Sequence, residues 1–256
     1  MKYLAYFSFF IVLACTPKQE AVVTNPHLEG FDLEGSDQKA ILIADQVMEA
    51  MGGRESWDNT RYVCWNFFGA RLLIWDKYSG DVRIESNRDS TIYLINIHDD
   101  TGRISRNGVE INQQDSVKKY VEQGKRIWIN DSYWLVMPYK LKDSGVTLTW
   151  LREDETQSGI ASDVLQLQFK EVGVTPDNRY EVWVDTTTHL VRQWAYYQHD
   201  TLSEPGFILP WDEWTPKGEI LLSGNRGERS LTDIHVFEEV SSTTFLSFEP
   251  VILPTN

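Results

Sequence analysis

The chain has 256 residues, of which 38 are acidic and 24 are basic, giving a net charge of −14 at neutral pH. This acidity argues against a nucleic-acid partner, because nucleic-acid-binding proteins present basic surfaces to the phosphates. It also argues against electrostatic attraction to anionic lipid headgroups. Aromatic residues make up 12% of the chain and 10 of them are tryptophan, which favours a β scaffold with thick apolar faces.

The first residues have the pattern of an export signal. Lys2 supplies a positive charge, and Tyr3–Ala14 is almost wholly apolar but too short to span a bilayer. The run ends in Val12-Leu13-Ala14-Cys15, which resembles the lipobox of bacterial lipoproteins. In that family the cysteine is acylated and becomes the new N-terminus. The resemblance therefore implies a signal peptide over residues 1–14 and lipidation of Cys15.

A lipid anchor of this kind implies attachment to a membrane of the bacterial cell envelope. Two or more acyl chains, such as palmitate, hold a protein stably at a membrane surface. We expect the outer membrane, with the protein facing the periplasm or the cell surface. If Cys15 is lipidated, the one remaining cysteine, Cys64, has no partner for a disulfide. Its aromatic and β-branched neighbours predict a buried thiol.

The segment after the lipobox divides into a tether and a helix. Residues 15–35 contain prolines, glycines and acids without sustained periodicity, which indicates a lipidated tether. Ser36 has the character of an N-cap. Apolar residues then recur at spacings of three and four up to Met51, which predicts an amphipathic helix ended by Gly52-Gly53. One domain is expected over residues 36–256.

Short segments with strand character follow in two groups. Each is bounded by Gly, Asn or Asp, and Asn107-Gly108 is typical of a tight hairpin. The predicted strands are Tyr62–Phe68, Arg71–Asp76, Asp81–Ser86, Thr91–Ile97, Arg103–Arg106, Val146–Leu151, Val164–Phe169, Tyr180–Asp185, Leu190–Gln198, Glu219–Leu222 and Leu231–Glu239.

A helical segment separates the two groups of strands. It is predicted from Asp115 or Ser116 to about Ile127, and the apolar run Tyr133–Pro138 follows it. Two strands of the first group are apolar on both faces, so a layer must cover the second face, and this segment is the candidate. The expected fold is α+β: a strongly curved antiparallel half-barrel of about ten or eleven strands covered by helices.

Several motifs together resemble the lipoprotein-carrier superfamily with the LolA/LolB-like fold, in a lipidated branch. They are the lipobox, Met51-Gly52-Gly53, Trp75-Asp76-Lys77, Tyr133-Trp134-Leu135-Val136-Met137-Pro138 and the segment from Tyr180 to Val191 with its Thr-rich turn. The resemblance implies a half-open barrel whose concave interior holds acyl chains. The functional arginine of the carriers matches no single position, and Arg71, Arg83 and Arg103 all remain candidates.

No motif for catalysis, metal binding or cofactor binding is found. The five histidines form no ligand pattern on one element, and no nucleophile elbow, phosphate loop or dinucleotide fingerprint occurs. The acids of Glu153-Asp154-Glu155 alternate in direction along a strand, unlike the facing carboxylates of a glycosidase. We therefore predict neither an enzyme nor a bound metal or cofactor.

Aromatic and aliphatic side chains on the strands are the candidates for an apolar cavity. They are Trp65, Phe67, Ile74, Trp75, Tyr93, Ile95, Trp134, Met137, Trp183 and Trp194. The predicted function is binding or carriage of a hydrophobic ligand, an acyl chain or lipid, by a membrane-anchored protein. An envelope enzyme acting on a glycan or lipid, and a structural lipoprotein with a filled core, remain alternatives.

The run Trp134–Met137 is expected to lie at the mouth of this cavity. If it lines a wet opening, the fold should tolerate a charge at Met137, and ligand entry alone should suffer. If it belongs to the core, a charge there costs several kcal/mol.

Overall fold

The computed structural model describes residues 25–170, 177–251 and 253. The predicted signal peptide, Cys15 and the tether up to residue 24 lie outside the described residues. Within them the fold is α+β, with antiparallel sheets and helices, as predicted.

The helices of the described residues are α1 (Gln38–Ala50), α2 (Gly53–Asn59) and α3 (Gln114–Val136), and a 3-10 turn over Met137–Lys140 continues α3. α1 buries the predicted apolar stripe. Its N-cap is Asp37 and not Ser36, whose hydroxyl donates to the carbonyl of Asp32. None of these helices has both the length and the apolarity needed to cross a bilayer.

Fourteen strands are present in the described ranges. They are β1 (Tyr62–Phe67), β2 (Arg71–Asp76), β3 (Asp81–Ser86), β4 (Thr91–Asn96), β5 (Thr101–Arg106), β6 (Val109–Glu110), β7 (Val146–Glu155), β8 (Ala161–Phe169), β9 (Arg179–Asp185), β10 (Val191–Tyr197), β11 (Phe207–Pro210), β12 (Asp212–Lys217), β13 (Ile220–Arg226) and β14 (Arg229–Phe237).

The strands form two open sheets. The first has the order β12-β13-β14-β1-β2-β3-β4-β5-β6, and the second has the order β11-β10-β9-β8-β7. Every described pairing is antiparallel. Within each sheet, strands that are adjacent in space are also consecutive in the chain, with one exception: β1 pairs with β14. That long-range pairing places β14 beside the first strand.

Three strands were missed by the sequence prediction: β6, β11 and β12. β6 has only two residues, whereas β11 and β12 each contain a proline, Pro210 and Pro216. Proline cannot donate to a strand ladder and is tolerated at sheet edges. β11, β12 and β6 are all terminal strands of their sheets, so the weak sequence signal matches their position.

α3 is longer than predicted. The sequence indicated an end near Ile127, but the helix continues to Val136 and includes most of the apolar run. Inside it, Asp131 is buried and receives hydrogen bonds from the guanidinium of Arg71 on β2, with Nε–Oδ2 2.6 Å and Nη2–Oδ1 3.0 Å. This bidentate pair fixes the C-terminal half of α3 to the first sheet.

The first sheet is covered on both faces, by two different segments. α3 lies against the face that carries Tyr93 and Ile95, close enough that a Cβ at Gly124 would stand 3.0–3.1 Å from their side chains. The opposite face is covered by residues after β14. There the buried guanidinium of Arg83 donates to the carbonyls of Thr244 and Glu249. The sequence predicted only the first of these covers.

Residues on the N-terminal side of the predicted boundary at residue 36 contact the second sheet. The amides of Leu28, Asp32 and Asp37 donate to carbonyls between Lys142 and Leu148. Residues 28–37 thus lie along the edge of the second sheet, and the unpaired groups of β7 are protected.

Candidate functional site

A cavity of about 700 Å³ lies between the C-terminal half of α3 and the second sheet. This volume is within the range of small-molecule sites. Its lining residues come from three regions, and they are Leu28, Arg126, Trp128, Ile129, Asn130, Ser132, Tyr133, Trp134, Lys140, Asp143, Ser144, Val146, Phe169, Asn178, Tyr180, Tyr196 and Phe207.

The helical wall of the cavity follows from helical periodicity. Arg126, Ile129, Asn130 and Tyr133 line the cavity at spacings of three and four, so they share one face of α3. On this face Arg126 and Asn130 are exposed and Ile129 and Tyr133 are half-buried, whereas the adjacent Trp134 is buried. The helix therefore presents a charge at one end and aromatic surface at the other.

The sheet wall is a continuous group of aromatic rings. Phe169 and Tyr180 meet edge to face with centroids 5.8 Å apart, and Tyr180 and Tyr196 lie 5.4 Å apart. Tyr196 stacks on Phe207 at 5.2 Å. Offset and edge-to-face contacts of this kind add stability beyond area burial. The wall is thus a fixed apolar surface built by β8, β9, β10 and β11.

Trp194 lies on the same face of the second sheet as these rings and contacts both them and the helix. Its ring is fully buried and packs edge to face with Trp134 at 4.8 Å and parallel to Tyr180 at 5.5 Å. A truncation at Trp194 would remove support from both walls.

A buried guanidinium holds the end of α3 in place. Arg226 on β13 is fully buried, donates from Nη2 to the carbonyl of Trp134 at 2.8 Å, and lies 3.4 Å from the ring centroid of Trp211. Positive charge is favourable at the C-terminus of a helix, where carbonyls are unpaired. The contact positions the backbone of a cavity-lining residue.

Two polar groups on the helical wall lack hydrogen-bond partners among the described residues: the indole N–H of Trp128 and the hydroxyl of Tyr133. Burial raises the pKa of Tyr133 well above its ordinary value. Tyr133 therefore stays a neutral phenol at physiological pH, and the wall carries two neutral donors.

Of the ten residues predicted to form a cavity, Trp134 lines the one observed. Trp65, Phe67, Tyr93, Ile95 and Trp194 are buried in the main core, and Trp75 packs against it with its ring 5.2 Å from that of Trp128. Ile74 points to the outer face of the first sheet, since it pairs directly with Arg83. Trp183 belongs to a separate small cluster on the outer face of the second sheet, with Val164, Ala195 and Tyr197.

The predicted position of Met137 at the mouth of the cavity is wrong. It is fully buried within the main core, and it does not lie at an opening. α3 carries the preceding residues into the interior, and the 3-10 turn that follows keeps Met137 there. Within the run from Trp134 to Met137, Trp134 is the residue that lines the cavity.

The three candidate arginines are all engaged elsewhere. Arg71 pairs with Asp131, Arg83 holds the chain after β14, and Arg103 pairs with Glu110 at 2.7 Å. None of them lines the cavity, whereas Arg126, which was not among the three candidates, does.

The described part of the chain shows neither a reactive thiol nor a cluster of metal-ligand side chains. Cys64 is buried, and burial raises the pKa of its thiol to about 12, so it is a packing residue and not a nucleophile. Among the described residues no group of three or more His, Cys, Asp or Glu side chains is arranged to hold a metal ion.

Comparison with known proteins gives a distant structural likeness. No family model matches the chain, and no curated protein matches it. Among solved structures, the crystal structure of a DUF1329 family protein from Desulfovibrio piger is similar, with a TM-score of 0.44 and 14% identity over 80% of this chain and 96% of that chain.

Proposed function

We propose that this protein binds a hydrophobic small molecule, an acyl chain or lipid, in the cavity between α3 and the second sheet, and that it does so without catalysis. The observation that carries the proposal is the cavity of about 700 Å³ with seven aromatic lining residues. A core filled by its own side chains, as in a purely structural lipoprotein, would leave no such volume. Apolar cavities of this size are typical of ligand-binding sites.

We propose further that the fold is a LolA/LolB-like half-barrel and that a lipid anchors the chain to a membrane. Two open antiparallel sheets wrapped around a long helix agree with a LolA/LolB-like half-barrel. We propose lipidation of Cys15 at the outer membrane. Cys15 precedes the cavity-lining Leu28 by 13 positions, so the chain spans at most about 45 Å between them. The anchor would thus hold the cavity near a membrane from which it could draw its ligand.

Filling the cavity tests the proposed function. We expect Ile129→Trp to weaken binding of a fluorescent fatty acid at least about tenfold, which is ~1.4 kcal/mol, because the indole occupies space on the helical wall. Native mass spectrometry of the wild-type protein should show a retained lipid, and the variant should show less of it.

The matched control is Gln123→Trp, an exposed position of α3 that does not line the cavity. It should bind the fatty acid as the wild type does. Equal binding by wild type and Ile129→Trp, with no lipid on either protein, would exclude the cavity as the binding site.

Replacing the predicted acylated residue tests the anchor. Cys15→Ser should move the protein from the membrane fraction to the soluble periplasmic fraction and remove the acyl mass from its N-terminal peptide. Membrane association that survives this change, together with a wild-type peptide free of lipid, would contradict the proposal.

A further inference from the structure

Arg126 stands apart from the other charges of the cavity. Within the described part of the chain its guanidinium forms no ion pair and no side-chain hydrogen bond, and Glu122, one helical turn earlier, does not pair with it. The other two charged lining residues, Lys140 and Asp143, pair with each other. Among the described lining residues, the charge left without a partner is therefore positive.

The positive charge of Arg126 contrasts with the negative net charge of the whole protein. The chain carries −14 overall, which opposes the approach of any anion. In described regions elsewhere, most arginines have a carboxylate partner, as Arg61 has Asp76 and Arg192 has Asp185. A free guanidinium at the cavity is thus a local reversal of the surface charge.

The position of Arg126 matches the shape of an amphiphile. From Arg126 to Tyr133 the shared face of α3 runs seven residues, about 10 Å at helical rise, from an exposed cation to aromatic surface. A ligand with a charged head and an apolar tail would place its tail against Tyr133, Tyr196 and Phe207. Its head would then stand beside Arg126.

We propose that the ligand is an amphiphile with an anionic headgroup, a carboxylate or a phosphate, and that Arg126 binds this headgroup. The inference rests on the proposed function and adds the chemistry of the head. A guanidinium suits both groups, because its planar fork donates two parallel hydrogen bonds to paired oxygens.

The test compares three ligands of one chain length: dodecanoate, dodecyl phosphate and uncharged dodecanol. Each competes with a neutral fluorescent alkyl probe for the full-length protein. For the wild type we expect at least one of the two anions to compete better than dodecanol. Arg126→Gln should weaken that anion about fivefold, the scale of an exposed charge-assisted contact, and leave dodecanol unchanged. The preferred anion identifies the headgroup.

Lys119→Gln is the matched control, since it removes one exposed charge from α3 outside the cavity lining. It should leave all three affinities unchanged. Equal competition by dodecanol and both anions in the wild type overturns this inference but leaves the proposed function. An equal loss for all three ligands in Arg126→Gln, or an equal loss in Lys119→Gln, also overturns it. Failure of all three ligands and the probe to bind overturns the proposed function as well.

Discussion

Arg71→Met should destabilise the fold by about 3–5 kcal/mol, the usual consequence of removing one partner of a buried ion pair. The side chain of Asp131 is 1% exposed, and Arg71 supplies its bidentate partner. Without Arg71, the amide of Asn130 is the one side-chain donor to this carboxylate that remains among the described residues. Urea denaturation followed by circular dichroism measures the loss directly.

The pH dependence of this loss separates charge from packing. Burial raises the pKa of Asp131 even with Arg71 beside it, and the loss of Arg71 would raise this pKa further. A carboxyl with a folded-state pKa above its unfolded value destabilises the fold as pH rises past the unfolded value, about 4. The penalty is absent below that pH, where the carboxyl is protonated in both states.

The deficit of Arg71→Met should therefore shrink as pH falls towards about 4. Arg71→Met/Asp131→Leu should recover most of the stability at neutral pH, because it leaves no buried charge unpaired. A deficit that is the same at every pH, or that the double variant keeps, would contradict this explanation of the pair.

The elements that the sequence predicted well are those fixed by local pattern. The stripe of α1 and the alternation of β3, where Val82 and Ile84 face the core, require no knowledge of distant residues. The end of α3 is different. Asn130, Asp131 and Ser132 have modest helix propensity, and the partner that fixes Asp131 lies 60 residues earlier. The ion pair with Arg71 stabilises a helical segment of modest propensity, and a contact between residues so far apart in the chain cannot be recognised from local sequence.

The cavity could be predicted as a type of site but not as a set of residues. Selecting the largest side chains on strands mostly selects the core, because large rings are what fill it. Which face a ring occupies depends on strand register. Trp194 pairs with Val182, so Trp183 points to the other face. The spacing of Arg126, Ile129 and Tyr133 would have predicted their shared helical face if the helix had been predicted to continue past Ile127.

Met137→Arg should prevent folding, or destabilise the protein by at least about 4 kcal/mol. The side chain of Met137 has no solvent exposure and lies in the main core. A guanidinium there would be buried without a partner, a situation that proteins avoid because the desolvation of a charge is so costly. Soluble yield and the melting temperature from circular dichroism are the measurements.

Two further variants keep this prediction testable if Met137→Arg cannot be purified. Met137→Leu conserves volume and should lose less than about 1.5 kcal/mol. Met137→Ala leaves a void and should lose about 2–5 kcal/mol. Gln123→Arg, at an exposed site on α3, should melt within a few degrees of the wild type. If Met137→Arg instead melted like Gln123→Arg, the side chain would have to reach solvent, and the run from Trp134 to Met137 would lie at an opening after all.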